Sequence, residues 1–488
     1  MHRLLSVLAI AVGLAALPAS AASDAVLGYD DARHLLARTG FGPTDAEVRV
    51  FASLTREAAV TKLLSETKTA ALTPPPLSVL DATPLRTPRG ESASEAERKA
   101  FVQEQRRQGL ALRAWWVEEM LVTPSPLTER MTLFWHNHFV SAQPKVRVTR
   151  LMYRQNVTLR AHATGNFGAL LHAIARDPAM LIYLDNAQNR QGAPNENFAR
   201  EVMELFTLGE GHYTEQDVKE AARAFTGWSV DRDTGAFESR PRAQDRGPKT
   251  VLGRSGTWDG DAVLDLLLAR PETSRHVTAK LWREFVSPDP DAKEVARIAA
   301  RFLESKYDIK AALREVLLCE AFYAAENRGV LVKAPAEIVV GTLRTFGLAP
   351  ERTLPFAIAS AGMGQNLMSP PNVRGWPGGE TWINTATLLA RKQFVDRVTR
   401  ADGAPAPSAV AMMRTAKAEG GALDRGLSNL HFDSARFMAQ FPGVSPEERA
   451  RWAQRLLLPV APQPAGEPTM DSLAVLRALV LDPAYQLK

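Results

Sequence analysis

The stretch that most constrains this chain is Pro194 to Trp228, PNENFAREVMELFTLGEGHYTEQDVKEAARAFTGW. Phe198, Val202, Leu205 and Phe206 fall at i, i+4, i+7 and i+8, the period of one apolar helix face. Asn195 is placed to cap that helix, and Glu196 puts negative charge in its first turn, where the helix dipole favours it. At about 100° per residue, Glu196, Asn197, Arg200 and Glu204 project from the opposite face, with Glu201 at its edge. Gly209 and Gly211 break the helix. Thr214 with Asp217 then opens a second helix, whose inner face is Val218, Ala221, Ala222 and Phe225 and whose end is Gly227. Two amphipathic helices joined by a tight turn cannot bury both apolar faces alone, so they belong to a larger helical body.

Three carboxylates around one guanidinium have two readings. One is a solvated, salt-bridged helix face, the default for surface charge. The other is a polar site that binds a cation or a polar ligand, with Glu201, Glu204 and Arg200 as its chemistry. Asn195 and Asn197, poor choices for a helix interior, His212 and Trp228 at the segment's end, and the apolar content of the whole unit bring the second level with the first. Glu196 stands between the two asparagines at the helix start.

The N-terminus limits where such a protein works. His2 and Arg3 form a short basic start, Leu4 to Leu17 is apolar apart from Ser6 and Gly13, and Ala19-Ser20-Ala21 is an A-x-A cleavage site. Residues 1–21 therefore read as a signal peptide, and the mature chain is expected to be periplasmic or secreted. No later segment approaches the length of a membrane span. Cys319 is the single cysteine, which excludes an internal disulfide, and its apolar surroundings make it a buried small hydrophobe. The net charge of +5 drops by one when Arg3 leaves with the leader, and no basic run with interleaved aromatics is present. Nothing in that pattern calls for nucleic acid.

Along the rest of the chain the expectation is all-α: a helical segment over residues 22–71, a Pro-rich loop over 72–94, and a main helical domain from 95 to 488. That domain contains a polar excursion at 229–257, where FESRPR and KTVLG are able to form a small β-hairpin. It also contains a Gly/Pro-rich loop at 362–381. Ser125 with Pro126 starts a helix that ends in Trp135-His136-Asn137-His138-Phe139. His-x-His suggests a metal, yet residues two apart on a helix lie about 200° apart in azimuth. The rings of His136 and His138 converge only if the helix frays toward Ser141 and Pro144. The loop from Asp185 to Glu196 has part of a calcium-loop register through Asp185, Asn189 and Glu196. Ala187 and Arg190 stand where a ligand and a glycine belong, which rules out a standard EF-hand. The 362–381 loop presents Asn372, Arg374 and Trp376 and reads either as the wall of a site or as a rigid connector. Leu171 to Met180, Leu313 to Phe322 and Leu476 to Tyr485 share a helix-then-cap pattern, explained most simply as a common cap design.

Together, HLLARTGFGPT (34–44), ERMTLFWHNHF (129–139), ARDPAMLIYLDN (175–186), the 193–228 segment, GPKTVLG (247–253) and PPNVRGWPGGETWINTATLLARKQF (370–394) resemble the bacterial domain-of-unknown-function family numbered 1800. The resemblance implies an exported, mainly helical protein without an assigned reaction. It also implies an exported partner from the domain-of-unknown-function 1501 family, which is similar to sulfatases. Members tend to carry a His-Asp pair before GPKT, where this chain has Ala243-Gln244-Asp245-Arg246. Two functional expectations follow. One is a cell-envelope binding or assembly protein acting with an exported partner. The other is a hydrolase using a divalent metal ion, with ligands from His136, His138, Glu201, Glu204 and His212, and Arg200 or Arg374 for an anionic substrate. No H-E-x-x-H and no G-x-S-x-G occurs.

Overall fold

A computed structural model of the chain describes residues 25–80, 94–231, 233–400, 430, 432–463 and 471–488. The expected signal peptide, residues 1–21, and most of the Pro-rich segment lie outside the described residues. The architecture is all-α, helix packed on helix, with two small antiparallel hairpins.

The helix Pro126–His138 sits at the centre. Every residue of it except Pro126 and Asn137 is buried. A helix buried on all sides has neighbours all round it. Here they include Gly28–Thr39, Glu95–Val122 and Thr149–Ala161. Its two charged residues are neutralised inside. Glu129 accepts from Arg160 Nε and Nη2 and from Trp116 Nε1 (2.9 Å). Arg130 is paired with Glu284 and Glu337.

Local sequence chemistry sets the helix starts. Thr44 with Glu47, Ser94 with Glu97, Thr214 with Asp217 and Ser445 with Glu448 all form reciprocal capping boxes. Asp177 caps Pro178–Tyr183 and Asp482 caps the 3₁₀ turn Pro483–Gln486. The end of the chain is strapped back onto residues 331–333: the Lys488 amide donates to Leu331 O, and Lys333 N to Gln486 O (both 2.8 Å).

The polar excursion is β, but its segments pair differently from the expectation. Lys249–Val251 pairs with Arg254–Gly256, and Trp228–Val230 with Phe237–Ser239. Each strand finds a nearer partner because a tight turn is available. Leu252 (φ 51) and Gly253 (φ 75) form a two-residue left-handed turn that suits a hairpin. Asp231 Oδ1 organises the other turn by accepting from Thr234 N and Oγ1 (both 2.7 Å). Toward the C-terminal half, Pro335–Thr345 is one helix, and Cys319 separates Ile309–Leu318 from the short Glu320–Tyr323. Among the described residues no helix is long and apolar enough to cross a membrane.

Candidate functional site

The helix that begins at Asn195 is α only over Glu196–Glu201, then widens to a π-turn over Val202–Thr207. Asn195 caps it, accepting from Asn197 N (3.0 Å). In the wide turn Leu208 N reaches Met203 O, five residues back (2.8 Å), and Thr207 Oγ1 donates to Val202 O (2.6 Å). Single π-turns are uncommon and are frequently found at functional sites. Gly209 (φ 83) ends the helix, so the Leu205 and Phe206 carbonyls are taken by side chains instead. Leu205 O accepts from His276 Nε2 (3.1 Å) and Lys280 Nζ (3.0 Å), and Phe206 O from His138 Nε2 (3.1 Å).

This cap decides the state of His138. A carbonyl only accepts, so Nε2 carries the proton and Nδ1 is the acceptor for Lys280 Nζ (3.0 Å). Burial, then Lys280 and His276, hold His138 well below the usual imidazole range. Burial first and Lys280 second put His276 at about 4, and burial then Arg283 bring Lys280 down to about 8. The one lone pair of His138 that a metal would need is already occupied.

His136 points away from that cap, as the azimuth argument required. It is 1% exposed, with its ring edge-on to Trp116 (5.5 Å) and tilted against Trp376 (5.7 Å). Its Nε2 is buried and has no partner among the described residues, and burial takes its pKa down to about 4. Between the two histidines, Asn137 fastens the Gly/Pro-rich loop. Asn137 Oδ1 accepts from Trp376 N (2.7 Å) and Nδ2 donates to Trp376 O (3.1 Å). A Cβ on Gly375 (φ 80) would lie 2.2 Å from Asn137 Oδ1, so only glycine permits this approach.

The loop thereby holds Arg374 over the π-turn. Arg374 Nη2 donates to Glu204 (2.9 Å) and Glu210 (3.0 Å), its amide donates to Asn372 Oδ1 (2.9 Å), and its side chain is 66% exposed. Glu204 also accepts from Tyr213 OH (2.7 Å). Glu201 lies half-buried beside Glu204. Burial and the Glu204 charge raise its pKa, against the opposing pull of Arg374 and Arg200. Among the described residues it accepts no hydrogen bond. Arg200 is drawn aside into a bidentate pair with Glu215 (2.7 Å each) and a longer contact to Glu196.

The structure brings Glu201, Glu204, Arg374 and Asn372 together, with Trp376 beneath them. It does not bring the five candidate metal ligands together. His136 is enclosed by indoles, His138 belongs to the carbonyl cap, and His212 is exposed, acting on Glu272 and His276. Among the described residues no group of three or more His, Cys, Asp or Glu is placed to hold a metal ion. The 185–196 loop is likewise committed. Asp185 is paired with Lys145 (2.8 Å) and accepts from Asn197 Nδ2 (3.3 Å), while Asn189 Oδ1 accepts from Asn195 N (2.9 Å). Before GPKT, Asp245 holds Arg223 (2.8 Å) and caps Gly247 N (2.9 Å), a structural task that needs no histidine beside it.

Asn137, Lys280 and His276 were not legible as site residues. The only trace of the last two is their spacing of four, which puts them on one face of Pro271–Phe285. Their common target, the unused Leu205 carbonyl, is left open where the facing helix widens.

These features define an all-α protein with a rigid, internally braced polar face built from a π-turn and a clamped loop. The chain belongs to the family described as Protein of unknown function (DUF1800), whose model matches residues 34–487. No curated protein and no solved structure matches it.

Proposed function

We propose that the chain is a binding or assembly protein that acts in the cell envelope with an exported partner, and that it meets that partner through the face around Arg374. The observation that supports this is the state of Arg374: two-thirds exposed, yet held between two carboxylates on a loop clamped to the core. A cation fixed in place before binding loses little side-chain freedom when a partner arrives. Arginine is also favoured where interfaces concentrate their energy. The half-buried Glu201 beside it gives the face both signs of charge. The sulfatase-like exported family implied by the resemblance is the first partner to test.

The experiment places a photo-crosslinking residue at Asn372 in the exported chain and irradiates intact envelopes. One dominant protein adduct is expected, absent from the Arg374→Glu variant. An adduct pattern no different from that of a control crosslinker at exposed Arg301, or unchanged in Arg374→Glu, would remove the support for this reading.

A further inference from the structure

A second site lies away from this face, in a cavity of about 30 Å³ between the N-terminal helix and the end of the chain. Arg33, from the helix Gly28–Thr39, and Lys333, just before Pro335–Thr345, both line it. Arg33 is 5% exposed, and among the described residues it makes no hydrogen bond and no ion pair. Among the described residues Lys333 Nζ has one acceptor, the neutral Tyr485 O (2.8 Å), and it rests 4.3 Å from the centre of the Tyr485 ring. Glu337 is the carboxylate on the wall, and it is already consumed. Arg130 and Lys488 pair with it, and it accepts from Ala334 N (2.7 Å).

The surrounding charges do not balance. Arg38 is satisfied by the carbonyl oxygens of Phe285, Val286 and Asn327. Arg391 is fully buried, donates to Lys333 O (2.9 Å) and Gln486 Oε1 (3.2 Å), and among the described residues leaves Nε and Nη2 unpartnered. Among the described residues, Arg33, Arg38, Arg130, Lys333, Arg391 and Lys488 therefore face three carboxylates: Glu337, Glu284 nearer the surface, and Asp30, which acts on Arg33 but is exposed and already paired with Arg455. Neutral oxygens fill the geometry of a guanidinium without cancelling its charge. A buried, unpaired cation is costly, and removing charge from water is tolerated where a counter-charge is supplied. Burial and neighbouring cations led by Arg33 bring Lys333 down to about 7, in keeping with that shortage.

We infer that the cavity between Arg33 and Lys333 is a binding site for one small oxyanion, of the size of a carboxylate or an inorganic phosphate. The planar donor fork of Arg33 suits two oxygens of such a group, and the Lys333 ammonium adds a point charge. The volume admits a group of a few heavy atoms and excludes a nucleotide or peptide.

The test is calorimetric titration and thermal unfolding of the whole mature chain. Sodium phosphate, acetate and chloride are compared at equal ionic strength, in wild type, Arg33→Gln, Lys333→Gln and the surface control Arg242→Gln. Phosphate also stabilises proteins generally by exclusion from their surface, and that effect is common to all four chains. The expected result is saturable binding of phosphate or acetate in wild type and Arg242→Gln, with the more effective of the two identifying the source. In Arg33→Gln the affinity should fall by about tenfold or more, the worth of one charge-assisted hydrogen bond. Arg33→Gln should remain folded and, without added oxyanion, be no less stable than wild type, since it removes an uncompensated charge. Equal phosphate and acetate responses in wild type and Arg33→Gln, saturable binding of chloride alone, or no saturable binding of any of the three would each overturn the assignment.

Discussion

His136 shows how burial turns a plausible ligand into a structural group. Its ring fills the space between Trp116 and Trp376, and its pKa is lowered to about 4 because the charged form would lose its water. The folded state therefore prefers the neutral ring. Above pH 6.5 that preference costs nothing. As pH falls through 6.5 toward 4, the unfolded chain binds a proton that the folded chain refuses, and stability declines. A shift of this size corresponds to about 3 kcal/mol for this one residue. His136→Phe, which keeps an aromatic ring there, should lose less stability than wild type between pH 6.5 and 4, measured by urea unfolding at each pH. Parallel pH profiles would show that His136 is not held neutral by the fold.

At the scale of elements, the π-turn Val202–Thr207 shapes the candidate face. It leaves Leu205 and Phe206 carbonyls to His276, Lys280 and His138 and puts Glu204 under Arg374. Thr207, fully buried, braces the turn through its bond to Val202 O. Thr207→Val keeps the shape and removes that side-chain bond, so a loss of about 1 kcal/mol is expected, read as a lower urea midpoint with an unchanged slope. An unchanged midpoint would mean the wide turn stands without it. The sequence made the helix pair legible because Phe198, Val202 and Phe206 return at a period that α and π geometry nearly share. It did not make the wide turn legible, since nothing in VMELFT departs from an ordinary helix pattern. The placing of the two histidines on opposite sides followed from spacing alone. What each ring meets there did not, because Lys280 and Trp376 are brought up by elements far along the chain. The hairpins illustrate the same limit: β character was readable in the residues, while the pairing was decided by which turn closed locally.

At the scale of the molecule, the core is threaded by charges that the sequence scattered evenly. Arg160, Glu129 and Trp116 form one closed unit joining three helices, all almost fully buried. Removing one partner leaves an uncompensated charge, which costs about 3–5 kcal/mol. Arg160→Met should be destabilised by that amount, and adding Glu129→Gln should recover part of it, the signature of coupled neighbours in a double-mutant cycle. Strictly additive losses would show that the two charges do not depend on each other. All-α architecture was legible throughout, since helical period, capping boxes and prolines at helix starts agree along the chain. The interior ion pairs were not, because a charge in a sequence carries no sign of whether it will face water.

Recognition of a partner through the braced polar face, as proposed above, is tested most directly by native mass spectrometry of the chain released gently from its own cells. The expected result is a mass for the chain together with a second protein, and the bare chain from Arg374→Glu. The bare chain from wild type, or the chain carrying one stoichiometric divalent ion and no protein partner, would contradict it.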